Sequence, residues 1–192
     1  MLSLRLIARL YQAGEHARLL RAVVENGLEL PGELCQRLAC EPAAVVGLTL
    51  RRVVELTYGP TVLTETMTRD LLARQQADGS FGSAVATAAA GAALGRLGQG
   101  PGVATAHRQA VAALAAMQEA DGLWPGDGAE RELRPMAAAA VLLLLAEAPA
   151  FHEAVDQPAL RRWFAEHWHE LDEATRRLYR RAQVSRPASV AA

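Results

Sequence analysis

The sequence predicts an all-α protein organised as a helical repeat, and three observations carry that reading. Alanine and leucine dominate, aromatics make up only 5% and β-branched residues other than valine are scarce, so the bulk propensity is helical with almost no sheet. The stretch "RQQADGSFG" (74–82) returns as "MQEADGLWPG" (117–126), aligning Gln75 with Gln118, Asp78 with Asp121, Gly79 with Gly122 and Phe81 with Trp124 at a period of 43 residues. Each copy follows an amphipathic segment and precedes a nearly all-apolar one, "AVATAAAGAALGRL" and then "MAAAAVLLLLA". A helix apolar all round must be buried on all sides, whereas an amphipathic one lies outside. The unit is therefore an outer helix, a tight turn and an inner helix, and such units stack because none buries its apolar face alone.

Residues 1–60 read as an N-terminal helical module. Leu4, Ile7, Leu10 and Tyr11 form one amphipathic stripe, and Leu19, Leu20, Val23 and Val24 a second, which breaks at "ENGLELPG". A third segment carries Leu34 and Leu38, turns at Cys40–Pro42 and enters a longer helix that stops before Gly59 and Pro60. The repeat region spans 61–182, with Met67, Leu71 and Leu72 on its first outer helix and Val111, Leu114 and Met117 on its second. Near its end Pro158 opens a helix whose Leu160, Trp163, Phe164, Trp168 and Leu171 share a face, and Asp172 caps the next. Residues 183–192 read as a loose tail.

The turn has a physical logic. Asp-Gly supplies the left-handed residue that ends the outer helix, the aromatic packs back over it, and Gln75 or Gln118 can bond backbone groups left unpaired at neighbouring helix ends. "LLARQQADGSF" and "LAAMQEADGLW" resemble the QW repeat of squalene and oxidosqualene cyclases and of the related protein prenyltransferase β subunits. That resemblance covers 61–150 clearly and 151–182 as a degenerate third unit. It implies an α/α toroid with inner helices around an apolar cavity. At about three helix pairs this chain would make a half-toroid, an open half-ring whose concave apolar face needs covering by the N-terminal helices, a second copy, a partner or a lipid-like ligand.

The resemblance does not bring a reaction with it. The acidic D-x-D-D of the cyclases is absent, and the zinc site of the prenyltransferases needs a cysteine where the only two, Cys35 and Cys40, lie outside the repeat. No cofactor or metal is expected, and no catalytic residue is assigned. "GDGAERE" places Asp127, Glu130 and Glu132 before the second inner helix, at the expected cavity mouth. Carboxylates there are ordinarily dipole and capping partners, though a small terpenoid-type cyclase or transferase would use Asp127 or Glu130. His167 and His169 are two apart and point to different faces of a helix, which does not suit a shared ion.

Residues 33–56 resemble a bacterial helix-turn-helix, with Val46, Leu50 and Val53 on the core side and Val45, Leu48, Thr49 and Arg52 toward a groove. The corresponding DNA contacts would be Thr49, Arg51 and Arg52. A net charge of −1, with twenty arginines and no lysine, supplies no general field for nucleic acid or an anionic membrane, and the groove side is poor in groups that read base edges. The N-terminus lacks a secretory pattern and the longest apolar run is too short to span a bilayer, so a cytoplasmic location is expected. The leading expectation is a non-catalytic binding scaffold, a homodimer or partner-binding protein whose half-toroid engages an apolar ligand, a partner or a second protomer. A DNA-binding regulator with a toroid-like dimerisation or sensor domain is the less favoured alternative.

Overall fold

A computed structural model describes residues 3–28, 30–57, 59–98, 100–125 and 133–185, and among them only helices and turns occur. The helices are α1 (Leu4–Gln12), α2 (His16–Val23), α3 (Gly32–Leu38), α4 (Pro42–Leu56), α5 (Val62–Leu72), α6 (Ala84–Leu97), α7 (Val103–Met117), α8 (Arg134–Leu144), α9 (Pro149–Ala154), α10 (Gln157–Glu166) and α11 (Glu173–Val184). Their starts follow local chemistry. Ser83, Asp156 and Asp172 accept the backbone N–H three residues on, and Thr61 and Thr64 form a reciprocal capping box. Pro42 sits in the first turn of α4, where its missing N–H costs nothing.

Three helices form the centre. In α6 every residue from Ala84 to Leu94 is buried, and in α8 Met136 and the run Ala138–Leu144 are too, as their all-apolar composition requires. The third is α4, buried from Ala43 through Leu50 and packed most extensively on α6. Gly47 makes that approach close: a β-carbon there would lie 2.8 Å from the backbone of Ala89 and Ala90. Small residues on both helices let the backbones meet, which gives the alanine-rich texture its packing role. Helices α5 and α7 pack on α4 and α6 from outside, and α7 in turn contacts α9.

α2 lies on α4 and α11 lies on α8, so the chain itself covers the central helices. Among the described residues the only large hydrophobics that are exposed are Leu4, Val62 and Val184, which are scattered in sequence. One apolar core runs from Ile7 to Ala182 without a break at residue 60. The C-terminal helix differs from expectation. α10 stops at Glu166, and Trp168 and Leu171 reach the core from the following turn, Trp168 edge-on to Tyr179 with ring centroids 6.1 Å apart. No helix of the described residues is long and apolar enough to cross a membrane.

Candidate functional site

The two sequence-matched turns make the same hydrogen bonds. Asp78 accepts the N–H of Ser80 at 2.9 Å and Asp121 that of Leu123 at 2.9 Å, each closing an Asx turn. Gln76 N–H donates to Ser80 and Glu119 N–H to Leu123, both at 2.8 Å. Gly79 and Gly122 have φ of 88° and 86°, the left-handed region that glycine enters at no steric cost. Gln75 donates through Nε2 to the carbonyl of Gly79 and to that of Ala106 in the first turn of α7, both at 3.0 Å. Gln118 donates likewise to Gly122 at 2.8 Å and to Asp156, the cap of α10, and accepts the Asp156 N–H at 2.7 Å. Each glutamine thus ties its own turn to the start of another helix, Gln75 to α7 and Gln118 to α10.

The aromatics complete these joints. Trp124 is buried, donates its indole N–H to the Leu114 carbonyl at 2.8 Å and stacks with Phe151. Phe81 is buried, and its backbone N–H donates to the Thr87 hydroxyl. The Ser80 N–H and hydroxyl hold the exposed Asp78 carboxyl below its usual range. The side chains of Gln75, Gln118, Asp78 and Asp121 thus bond backbone groups of the turns and of the helices that follow.

Beside the turns lies a cleft at the N-terminal ends of the three central helices. It encloses about 230 Å³ and is lined chiefly by Leu34, Leu38, Val85, Met117, Leu133 and Ala137. Its polar rim is internally paired. Ser83, the cap of α6, donates to Glu41 at the start of α4, and Arg37 lies 4.0 Å from Glu41. Arg134 donates to the Trp124 carbonyl at 3.0 Å and forms ion pairs with Glu119 and Asp121. The rest of the cleft is apolar, bordered by these paired charges. Pro125 and Leu133 both line it, while Asp127 and Glu130, expected at the cavity mouth, lie between them, outside the described residues.

The residues read as DNA contacts occupy different surroundings. Val45, Leu48 and Thr49 are fully buried, because α4 is a central helix and not a surface one, so the expected groove face is core. Arg51 donates to the Leu144 carbonyl at 3.2 Å and pairs with Glu55, and Arg52 also pairs with Glu55, at 3.0 Å. Burial, followed by the like charge of Arg96, pushes the Arg51 pKa down, with Glu55 opposing. His167 stacks on Trp163 with ring centroids 4.3 Å apart and its Nδ1 lies 3.0 Å from the Trp163 carbonyl.

No family model, curated protein or solved structure matches the chain. Sequence reading missed the cleft itself. Its walls come from α3, the starts of α4, α6 and α8 and the end of α7, and no linear spacing connects such residues. The one local signal was the pairing of a capping position, Ser83, with a turn that ends just before it.

Proposed function

We propose that the chain is a non-catalytic binding scaffold of the half α/α-toroid type, in which the Gln-Asp-Gly turns are joints and the cleft at the N-terminal ends of α4, α6 and α8 is the binding site. In this reading α5–α6 and α7–α8 are successive outer and inner pairs, α10–α11 is the degenerate third, and α3–α4 extends the row upstream. The observation that carries the functional part is the character of the cleft: aliphatic walls, with Glu41, Ser83 and Arg134 already engaged around it. Such a slot gains free energy from removing apolar surface from water, and its neutralised rim disfavours a charged occupant. At about 230 Å³ it lies below the usual range for drug-sized ligands, which starts at about 300 Å³. It suits a short uncharged aliphatic group, whether a small molecule or one side chain of a partner.

Calorimetric titration with 1-hexanol tests this, comparing the wild type with Ala137→Phe. Ala137 lines the cleft and is only partly buried, so phenylalanine fills the slot without entering the sealed core. The wild type is expected to bind with a negative heat-capacity change, and A137F, folded by circular dichroism, to lose that binding. Equal heats from both proteins would refute the assignment.

A further inference from the structure

The outward face of α5 carries a pattern that neither the turns nor the binding cleft uses. Val62, Glu65, Arg69 and Leu72 follow one another at spacings of three, four and three residues, the stripe that a helix presents to a neighbouring helix. Val62 is 81% exposed, Glu65 and Arg69 are exposed as well, and Leu72 is half-buried. Among the described residues neither Glu65 nor Arg69 has an ion pair or a side-chain hydrogen bond. Pairing with each other along the helix would gain little, because both side chains sit in water.

Beside the stripe runs a groove of about 470 Å³, with Thr64, Thr68 and Leu72 of α5 on one side and Leu97, Pro101 and Val103 on the other. Glu65 and Arg69 border it too. The threonines of this helix are already satisfied. The hydroxyls of Thr64, Thr66 and Thr68 donate to the carbonyls of Thr61, Val62 and Thr64. Covering this face therefore strips no threonine donor of its partner.

We infer that this face of α5 is the contact between two copies of the chain, packed antiparallel about a two-fold axis at the level of Met67. Glu65 and Arg69 lie symmetrically about that level, and so do Val62 and Leu72. Reversing the helix direction sets each Glu65 against the partner's Arg69 and each Val62 against the partner's Leu72. The stripe is thereby its own complement, as an isologous interface requires. A parallel pairing would instead set each charge against its like. The exposed valine gains an apolar seat, since Leu72 shares its end of the groove with Leu97 and Val103. α5 has 11 residues and is about 16 Å long, so the seam falls below the ~1,200 Å² of standard interfaces and the dissociation constant is about 1 μM or higher.

The test is sedimentation velocity of the full chain from about 1 to about 500 μM, a range set by that interface size. The wild type is expected to pass from monomer to dimer. Glu65→Arg and Arg69→Glu are each expected to weaken the dimer about thirtyfold, because two exposed ion pairs become two like-charge contacts, and to leave the circular dichroism unchanged. The double variant E65R/R69E restores self-complementarity and is expected to dimerise like the wild type. An equimolar mixture of the two single variants is expected to form a heterodimer, since one stripe then carries two cations and the other two anions. Damage to the fold cannot produce that recovery. A wild type that stays monomeric throughout overturns the proposal, as does a dimer that neither reversal weakens. Failure of both the double variant and the mixture to recover association overturns it too.

Discussion

Replacing Gly122 with alanine is expected to be among the most damaging single-methyl changes in this protein. Gly122 has φ of 86°, and an L-residue held there loses about 1–2 kcal/mol. The added β-carbon would also lie 2.7 Å from the carbonyl carbon of Ala159 and 2.8 Å from the α-carbon of Leu160, so the backbone of α10 has to retreat. Gln118 holds that same helix by the backbone N–H of Asp156 at 2.7 Å, and displacing a packed element costs a further ~1–3 kcal/mol. The sum is about 2–5 kcal/mol, a large part of the ~5–15 kcal/mol that stabilises a typical domain. Gly82→Ala provides the internal control. Its φ is 99° but nothing lies within 4 Å of the new β-carbon, so only the conformational cost of about 1–2 kcal/mol applies. Urea unfolding monitored by circular dichroism measures both. Losses that agree within about 0.5 kcal/mol, the usual noise of such comparisons, would refute the claim that the turn is wedged against α10.

Other consequences follow from buried polar groups. Thr49 is fully buried and its hydroxyl has no hydrogen-bond partner, so Thr49→Val is expected to raise stability by about 1 kcal/mol, the typical cost of an unsatisfied buried hydroxyl; a loss of stability in the same urea assay would contradict its placement. Burial pushes the carboxyl of Asp172 up, but bonds from the Thr175 hydroxyl and from the N–H groups of Thr175, Ala174 and Asp172 itself outweigh it and leave the pKa below its ordinary value of 3.8. A group whose folded pKa is depressed contributes stability above its unfolded pKa and loses it as pH falls through the folded one. Asp172→Ala should therefore destabilise α11 by about 1 kcal/mol at neutral pH, as for other helix caps, and the gap between mutant and wild-type thermal midpoints should narrow below pH 3.8.

The parts of the fold legible in the sequence are those whose cause is local. The two turns could be read because an aspartate bonding the N–H two residues on, and a glycine at positive φ, act within a few positions of each other. α6 and α8 could be read as buried because they are apolar all round. α4 could not, because Arg51, Arg52 and Glu55 crowd its last turns and give it the look of a surface helix, although the charges sit at one end and the remaining length is core. The aromatics of 160–171 misled for a related reason. Trp168 and Leu171 continue the helical spacing of Leu160 and Phe164, but they pack from a turn, where His167 N–H bonds the Trp163 carbonyl at 3.0 Å and Glu170 N–H the His167 carbonyl at 3.0 Å. The covering of the central helices by α2 and α11, and the cleft beside the turns, arise from contacts between distant segments, which periodicity does not encode.

The most direct test of the binding assignment uses the protein's own reporters. The chain has four methionines: Met117 lines the cleft, whereas Met67 and Met136 are buried. With carbon-13 in the methionine methyls, titration with 1-hexanol should move the Met117 resonance saturably and leave that of Met67 in place, with the assignment made by Met117→Leu. A Met117 signal that does not respond, or a shift confined to the other methionines, would contradict the account.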